Sequence, residues 1–547
     1  MQFILGFMVA LSITMVLIPP LMRAAGRFNF LDQPESRKVH THAIPRVGGI
    51  AMAAGMLVAM VAWGDSSRTL QAYCAGIVVL LVFGIWDDRV TLGAGTKLVG
   101  QAIAVLIAMI WGDVNIASVT FSERYVLCQW VSGPLTFIFL IGATNAINLA
   151  DGLDGLAGGV ALFCLSALAL LSLTVGNTSI GSTAIVAIGA VLGFLRFNTH
   201  PARVFMGDSG SQILGFCVAV LSVLLTQDPG IPLSTALPLL LLGVPIIDTS
   251  MVMIERLMQG HSPFKADRNH IHHRLLRFGF DHHEAVMVIY ALQALLFICA
   301  WYMRYDSDVR ILAVFATFAG SVVATLRIAE SRHWRLRAMP ATTAAHRSML
   351  GRYIAWLRTP ERLPYWATCV IGLAVLVYES RVLFSGIDPS PDVRLLAAIA
   401  ATVLIVSTLL RYREHSVSWL DRSAIYICAV MAVYLDERSS GASIALHYLE
   451  WIVFAAIAIG LVIHLKLASN VSFKVTPLDL LVILIALLVP NLPGSIATPQ
   501  QLGVAIVKLV LLLYAIETFV TVVERRWKLL NVAALCFLAG IAVVANH

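Results

Sequence analysis

Apolar segments of about 18 to 22 residues recur along the whole chain, and this is the length that a helix needs to cross a hydrocarbon core of about 30 Å. Hydrophobic residues make up 59% of the 547 positions and charged residues only 13%, a composition that excludes an ordinary soluble domain. We therefore predict an all-α polytopic integral membrane protein.

The predicted spans fall into two blocks. The first block has about eleven transmembrane helices, at residues 3–22, 47–63, 69–86, 98–112, 131–150, 158–175, 181–197, 210–226, 232–254, 285–303 and 309–326. The second block has about seven, near residues 366–385, 393–410, 423–435, 444–464, 477–490, 501–523 and 528–545. Residues 327–364 are basic and interrupted by proline, which predicts a cytoplasmic linker between the blocks.

The first apolar segment has no basic region before it and no small-residue cleavage site after it. We therefore expect a retained first span and not a signal peptide. The eight cysteines are scattered without CxxC spacing, so we expect them to be small core residues.

Basic residues are concentrated in alternate loops of the first block. The odd-numbered loops carry most of them, including Lys38, Arg46, Lys97 and Arg203, whereas the even-numbered loops carry few. By the positive-inside rule, the N-terminus is predicted to lie outside and the odd-numbered loops in the cytoplasm. The net charge of +7 then lies largely on the cytoplasmic face, where anionic lipid headgroups or an anionic substrate would compensate it.

Five segments rich in polar residues are all predicted to lie on that cytoplasmic face. They are residues 32–49, 86–97, 145–159, 197–211 and 263–279. The opposite loops are equally exposed and contain nothing comparable, so this convergence is the main indication of function in the sequence.

The segment NAINLADGLDGLAGG places four oxygen-bearing side chains at every third position, namely Asn145, Asn148, Asp151 and Asp154. Residues one helical turn apart can share a face. An amide inside the apolar limit needs a partner, which points to Asn148. Carboxylate and amide oxygens suit Mg²⁺ better than zinc.

The segment FMGDSGS places Asp208 just before the predicted eighth span. A helix N-terminus binds phosphate well, but a carboxylate there would repel phosphate unless a metal ion lay between them. Asp208 is therefore the first candidate for a Mg²⁺ ligand, and an acidic helix cap is the alternative.

Two other segments add charged and polar groups. Asp87 and Asp88 are adjacent at a predicted helix end, where their side chains diverge by about 100° and each needs a nearby cation to stay ionised. The segment HIHH contributes His270, His272 and His273 beside arginines. It predicts phosphate or sugar contacts, and a zinc site is the alternative. Zinc is less favoured because no Cys or HExxH pattern accompanies the histidines.

Taken together, these segments predict a shallow cytoplasmic pocket with a magnesium ion and many phosphate-binding donors, among them Lys38, Arg46 and Lys97. Phosphoryl transfer between a soluble nucleotide and a lipid phosphate would require such a pocket.

The motifs resemble those of the polyprenyl-phosphate N-acetylhexosamine-1-phosphate transferases, a branch of glycosyltransferase family 4. The resemblance rests on NAINLADGLDGLAGG, FMGDSGS, WDD and PFKADRNHIHHRLLRFG, which occur in the family's order. It covers residues 1 to about 330, so residues 1–326 are expected to form the membrane-embedded transferase domain. Residues 365–547 match nothing in the catalytic pattern and have no assigned role.

The resemblance also implies roles for individual residues. It implies a catalytic pair, Asp87 and Asp88, and two metal ligands, Asp208 and Asn148. Nucleotide-sugar contacts are implied for Asn145, Asp151, Asp154, Lys97, His270, His272 and His273. Lipid-phosphate contacts are implied for Lys38 and Arg46.

The HIHH segment is similar to the branch of the family that uses UDP-N-acetylglucosamine and undecaprenyl phosphate to start O-antigen, common antigen or teichoic acid synthesis. This resemblance implies a magnesium-dependent enzyme, with Mn²⁺ as an alternative ion, that releases UMP. Its expected partners are a UDP-N-acetylhexosamine, undecaprenyl phosphate and the lipid bilayer, without nucleic acid, and a homodimer is left open. The expected location is the bacterial inner membrane, with the active site on the cytoplasmic face.

Three other functions were weighed against this one. The phospho-MurNAc-pentapeptide transferases of the same family carry a different histidine motif. An ion-coupled carrier would place its acidic residues near the membrane midplane, often at broken helices. An intramembrane aspartyl protease would have a GxGD motif, but Phe205 occupies the position of the first glycine.

Overall fold

The computed structural model describes residues 2–33, 43–121, 123–261, 269–336, 362–383, 389–410, 419–436, 444–467, 508–509, 511–516, 518–519 and 527–543. These residues form two compact units, one with the described residues up to 336 and one with those from 362 onward. The three predicted domain ranges stay a prediction, because most of the linker lies outside the described residues.

The first unit is almost entirely helical. Its helices are α1 (Gln2–Ala24), α2 (Gly48–Trp63), α3 (Arg68–Val90), α4 (Ala94–Ile110), α5 (Gln129–Ala150), α6 (Leu156–Thr174), α7 (Thr178–Asn198), α8 (Gly207–Gln227), α9 (Leu237–Leu241), α10 (Gly243–Met258), α11 (Ile271–Arg277), α12 (His282–Tyr302) and α13 (Asp308–Ser331). Two small hairpins accompany them, β1 (Leu31–Asp32) with β2 (Ile44–Pro45) and β3 (Ser118–Thr120) with β4 (Arg124–Val126).

In the second unit, the described helices are α14 (Arg362–Leu383), α15 (Pro391–Leu410), α16 (Trp419–Asp436), α17 (Ile444–Leu467) and α18 (Trp527–Val543). Across the described parts of both units, nine helices are long and apolar enough to cross a membrane, and several shorter apolar helices accompany them. The prediction of an all-α polytopic membrane protein is thus confirmed. The number of spans stays a prediction, and the predicted span at 477–490 lies outside the described residues.

Helix α8 lies at the centre of the first unit and packs against α2, α3, α5 and α6. In its most apolar window, 94% of the residues are buried inside the protein. Glycines allow the backbones to approach closely, as small residues do between membrane helices. A Cβ on Gly84 of α3 would lie 2.3 Å from Ser209, and one on Gly215 of α8 would lie 2.7 Å from Thr144 of α5.

The span predicted at 232–254 is wrong as a single helix. It is interrupted at Leu242, between α9 and α10. Pro245 lacks an N–H group and cannot donate to a preceding carbonyl, so one continuous helix would lose hydrogen bonds here. Gln293 of α12 compensates by donating to the Leu241 carbonyl at 2.8 Å and accepting from the Val244 amide at 3.3 Å. Backbone groups freed inside a membrane need such partners.

Four buried charged residues cross-link the second unit. Arg381 of α14 contacts Asp436 of α16 and lies 3.3 Å from Glu450 of α17. Lys508 contacts the same two carboxylates at 3.0 and 2.5 Å. Two cations therefore balance two anions. Such a cluster is stable only while each charge keeps its partners, because an unpaired charge in an apolar interior is costly.

We predict that Asp436→Asn destabilises the second unit by about 3–5 kcal/mol, because the substitution removes one of the two carboxylates that Arg381 and Lys508 both contact within the described residues. Chemical unfolding of the full-length protein in detergent, followed by the fluorescence of tryptophans in that unit, would measure the change.

The matched control is Asp306→Asn in the first unit. Asp306 pairs with Arg310 at 3.2 Å, but the Arg310 side chain is 73% exposed. An exposed pair of this kind contributes less than about 1 kcal/mol. Equal losses for the two substitutions would contradict a role for the buried cluster.

Candidate active site

The Asp88 carboxylate, near the end of α3, caps the N-terminus of α8. It accepts hydrogen bonds from the backbone amides of Asp208 and Ser209 at 2.9 and 3.2 Å, and from the Ser209 hydroxyl at 2.8 Å. The residue before α8, Met206, has no side chain that could cap the helix itself. The partners that the structure describes for Asp88 are thus amides, a hydroxyl and the positive end of the helix dipole, and its expected need for a nearby cation stays a prediction.

Gly207 is the first residue of α8 and makes this cap possible. Its φ is +70°, a conformation that glycine adopts without a steric penalty. A Cβ at this position would also lie 2.4–2.7 Å from the Asp88 carboxyl atoms. A glycine is therefore required for two separate reasons.

Asp87 points to a different partner from Asp88. Its Oδ2 lies 2.5 Å from Nζ of Lys97 on α4, and its Oδ1 accepts from the Leu92 amide at 2.6 Å. Lys97 also lies 3.2 Å from Asp208. The side chains of Lys97 and Asp208 are 29% and 27% exposed and that of Asp87 only 2%. Lys97 and Asp208 are thus partly accessible to solvent, whereas Asp87 forms its ion pair with Lys97 from the buried side.

Asn148, near the end of α5, completes this group of side chains. Its Oδ1 accepts from the Ser211 hydroxyl at 2.9 Å, and its side chain faces the Asp208 carboxylate. One amide and two carboxylates, from α5, α3 and α8, therefore meet around Lys97. They form a set of oxygen donors of the kind that Mg²⁺ binds.

Asn145 lies one turn earlier on α5 and belongs to a network of amides. It donates to Oε1 of Gln101 at 2.7 Å, and Gln101 donates to Oε1 of Gln212 at 3.2 Å. The network joins α4, α5 and α8 just behind the carboxylates. Asn145 is thus bonded within the protein, and its predicted contact with a nucleotide sugar stays a prediction.

The first polar loop reaches the site through its backbone. The Phe205 amide donates to the Pro45 carbonyl at 2.8 Å, and the amides of Gly48 and Gly49 donate to Phe205 and Met206, each at 2.9 Å. This pairing holds Arg46, which forms an ion pair with Asp32, beside the start of α8. Lys38 lies outside the described residues.

The turn between α5 and α6 carries Asp151 and Asp154. The Asp151 residue is exposed at the surface, but surrounding protein atoms partly remove water from its carboxylate. This desolvation and the Asp208 carboxylate raise the pKa of Asp151, against the effect of Arg46. Asp154 accepts from His200 Nδ1 at 2.7 Å. Burial alone would raise the pKa of Asp154, but this bond and that from the Ala202 amide hold it below its usual value.

The HIHH segment spans the residue before α11 and the start of that helix. Asp248 of α10 accepts from His270 Nδ1 at 2.9 Å and from the Ile271 amide at 2.7 Å, so one carboxylate holds the first histidine and the start of the helix. His272 packs against Gly152, where a Cβ would lie 2.2 Å from its Nε2. Burial, with the neighbouring His273, lowers the pKa of His272 to about 3, so that this imidazole is neutral at pH 7.

The arginine after this segment is committed to the protein. Arg274 contacts Glu255 of α10 and lies 3.1 Å from Glu330 of α13. The sequence predicts phosphate contacts for the segment that contains the histidines and their neighbouring arginines. Arg274 is one of these arginines, and it instead fixes α11 to α10 and α13. His273 is the half-buried histidine of the three, whereas His270 and His272 are 7% and 3% exposed.

Proteins of similar sequence identify the family to which the chain belongs. The family model described as "Glycosyl transferase family 4" matches residues 70–226. A Bacillus subtilis protein named "Probable undecaprenyl-phosphate N-acetylglucosaminyl 1-phosphate transferase" is 38% identical over 294 residues, which are 53% of this chain and 82% of that protein. The chain belongs to glycosyl transferase family 4. The resemblance drawn from the motifs is confirmed.

Two other relatives in glycosyl transferase family 4 carry a similar name. Proteins of Escherichia coli K12 and Salmonella typhi, both named "Undecaprenyl-phosphate alpha-N-acetylglucosaminyl 1-phosphate transferase", are each 32% identical over 286 residues. The alignments cover 50% of this chain and 76% of each relative.

The five segments singled out in the sequence of this family member meet at one end of the first unit, as far as they are described. The roles predicted for their individual residues stay predictions. Sequence reasoning missed several residues that hold the site together, namely Gln101, His200, Ser209, Ser211, Gln212, Asp248 and His282. Only the buried amides, Gln101 and Gln212, carried a signal, since a polar residue inside an apolar span needs a partner.

We predict that Gly207→Ala in this family 4 protein disrupts the start of α8 and lowers both thermal stability and any activity of the site. Gly260→Ala is the matched control. Its φ is +72°, so it carries a similar backbone cost of about 1–2 kcal/mol, but apart from its chain neighbours no atom of the described residues would lie within 4 Å of the added Cβ.

The difference between the midpoints of thermal unfolding of the two variants isolates the contact with Asp88. Equal midpoints would contradict the cap described above.

Proposed function

We propose that this protein transfers N-acetylglucosamine-1-phosphate from UDP-N-acetylglucosamine to undecaprenyl phosphate and releases UMP. The names of the relatives support the sugar and the lipid. The same names do not favour transfer of phospho-MurNAc-pentapeptide. The product would start the assembly of a cell-surface polysaccharide, such as O-antigen or another cell-wall glycan.

The observation that carries the proposal is the position of Asp208. Its carboxylate lies in the first turn of α8, 3.2 Å from Lys97 and facing Asn148. The first amides of α8 are already bound by Asp88, so the positive charge available to a phosphate here is the partly exposed Lys97 ammonium. The site therefore has the parts that can hold a diphosphate next to a carboxylate at the end of a membrane domain.

The residues fit a bound Mg²⁺ ion. Asp208 is partly exposed, the Asn148 amide faces it, and both ligands have hard oxygen atoms. These two residues would hold the ion, with Mn²⁺ as an alternative. When bound, the ion would neutralise charge on the diphosphate of UDP-N-acetylglucosamine and favour departure of UMP.

Lys97 is placed to bind the phosphates from the other side. The charge of Asp87 keeps the Lys97 ammonium oriented, with 2.5 Å between Oδ2 and Nζ. The lipid phosphate attacks the phosphorus next to the sugar, and one phosphoanhydride bond replaces another. A phosphate monoester has a second pKa of about 6, so the attacking group is already mostly dianionic at pH 7. Asp87 is therefore assigned to positioning and not to proton removal.

The distribution of polar residues supports an enzyme at the membrane surface. Described residues of loops one, three and five contact the start of α8 or the loop before it, and His272 of loop nine packs against loop five. Positive residues are concentrated in these loops. By the positive-inside rule this end faces the cytoplasm of a bacterial inner membrane, where nucleotide sugars are available. A carrier would instead gather its acidic residues near the midplane.

The proposal is tested with purified full-length protein in detergent, supplied with Mg²⁺, UDP-N-acetylglucosamine and undecaprenyl phosphate. Lipid-dependent release of UMP is expected. Asp208→Asn should lower the rate about 100-fold or more, since a fixed charge-stabilising group in a site contributes at least this much.

Asp113→Asn is the matched control, because Asp113 is exposed and its φ of 55° suits Asn. Its rate should equal that of the unsubstituted protein. Release of UDP would mean that the sugar moves without its phosphate, and release of neither nucleotide would overturn the proposal.

We also predict that Asp87→Asn lowers the rate at every pH between 6 and 9. The amide cannot hold the Lys97 ammonium by charge, and raising the pH does not restore that interaction. If Asp87 instead accepted a proton from the lipid phosphate, the rate of the variant would recover fully as the pH rose. The pH profile of UMP release distinguishes the two roles.

A further inference from the structure

Asp154, His200 and His282 form a cluster next to the site already described. They come from three separate segments: the turn after α5, the loop after α7, and the first residue of α12. Each offers one nitrogen or oxygen ligand atom, and these three atoms lie within 4.8 Å of one another. The rings of His200 and His282 stack with centroids 4.1 Å apart, which brings both to the same carboxylate.

The cluster has unused ligand atoms. Both hydrogen bonds that the Asp154 side chain accepts end on Oδ2, one from His200 and one from the Ala202 amide. Oδ1 therefore has no partner among the described residues. Nδ1 of His282 is buried and has no hydrogen-bond partner in the described part of the chain. A buried polar atom normally has a partner, so His282 Nδ1 points to a missing ligand, whereas Asp154 Oδ1 belongs to a side chain that is 17% exposed and is accessible to an incoming ion.

We propose that Asp154, His200 and His282 bind a transition-metal ion of the Zn²⁺ class. Two imidazoles and one carboxylate form a common zinc-binding set, which leaves a fourth position for water or a substrate. Ligand distances of about 2.0–2.2 Å require the stacked rings of His200 and His282 to rotate so that one nitrogen of each points to the ion. Binding would replace the hydrogen bond between His200 and Asp154, and the proton of that bond would move to the other ring nitrogen, so that a neutral imidazole binds the ion.

This site differs in chemistry from the oxygen-donor group at Asp208. Imidazole nitrogen favours zinc, copper or nickel over magnesium, whereas carboxylate and amide oxygens favour magnesium. An ion at the cluster would tie together the turn of Asp151 and Asp154, the loop before α8 and the start of α12. It would also engage Asp154, for which the family resemblance implies a nucleoside contact. The proposal stands independently of the transfer reaction.

The test uses full-length protein in detergent, with any polyhistidine tag removed and metals stripped by a chelator. Co²⁺ is added as a spectroscopic substitute for Zn²⁺. One equivalent per chain should give the visible absorption of a low-coordinate Co²⁺ site, which Zn²⁺ should abolish and millimolar Mg²⁺ should not. The thermal midpoint should rise with Zn²⁺.

Two substitutions assign the site. His200→Asn and His282→Asn should each weaken Co²⁺ binding about 100-fold or more, since each removes a ligand. His333→Asn is the matched control, because His333 is exposed and its φ of 49° suits Asn. Asp208→Asn should also retain Co²⁺ binding, which separates this site from the one proposed for magnesium.

Absence of a Co²⁺ spectrum in the unsubstituted protein would overturn the proposal. Binding of equal affinity in the His200 and His282 variants would overturn it as well, because the ion would then lie elsewhere. Far-UV circular dichroism of each variant guards against misfolding. If His282→Asn fails to fold, His282→Gln replaces it with the same expected loss.

Discussion

The site depends on one carboxylate that stabilises the start of the central helix. Asp88 binds the first free amides of α8, and no side chain of that segment does so in its place. The bond fixes the end of α3 against α8, and with it Asp87 against Asp208. Since an uncapped helix end inside a membrane protein is costly, the same interaction that stabilises the fold also sets the distance between the Asp87 and Asp208 carboxylates.

The pairing of Asp87, Lys97 and Asp208 follows from the limited access of water to these side chains. Asp87 is almost fully buried, so it needs the Lys97 ammonium, and the lysine in turn reaches Asp208. One cation thus serves two carboxylates, which leaves the group net negative. The divalent ion proposed for this site would give the group a net positive charge, which would then favour binding of an anionic diphosphate.

Hydrophobic length predicted most of the fold, because a bilayer permits few alternatives. It failed at Leu242, where the apolar pattern continues through α9 and α10 and only Pro245 indicates a break. The distribution of basic residues predicted that the segments of Asp87, Asn148 and Asp208 lie on one face of the membrane. It could not show that Asp88 caps a helix 120 residues later, or that Asp248 holds His270, because those contacts depend on tertiary packing.

The amides of Gln101, Asn145 and Gln212 have a further consequence. Gln101 and Asn145 each donate and accept, and Gln212 accepts from Gln101, so the three amides link α4, α5 and α8 and oppose rotation of these helices about their axes. A turn of any one helix would strand an amide in an apolar environment. The three therefore act as a single rigid block.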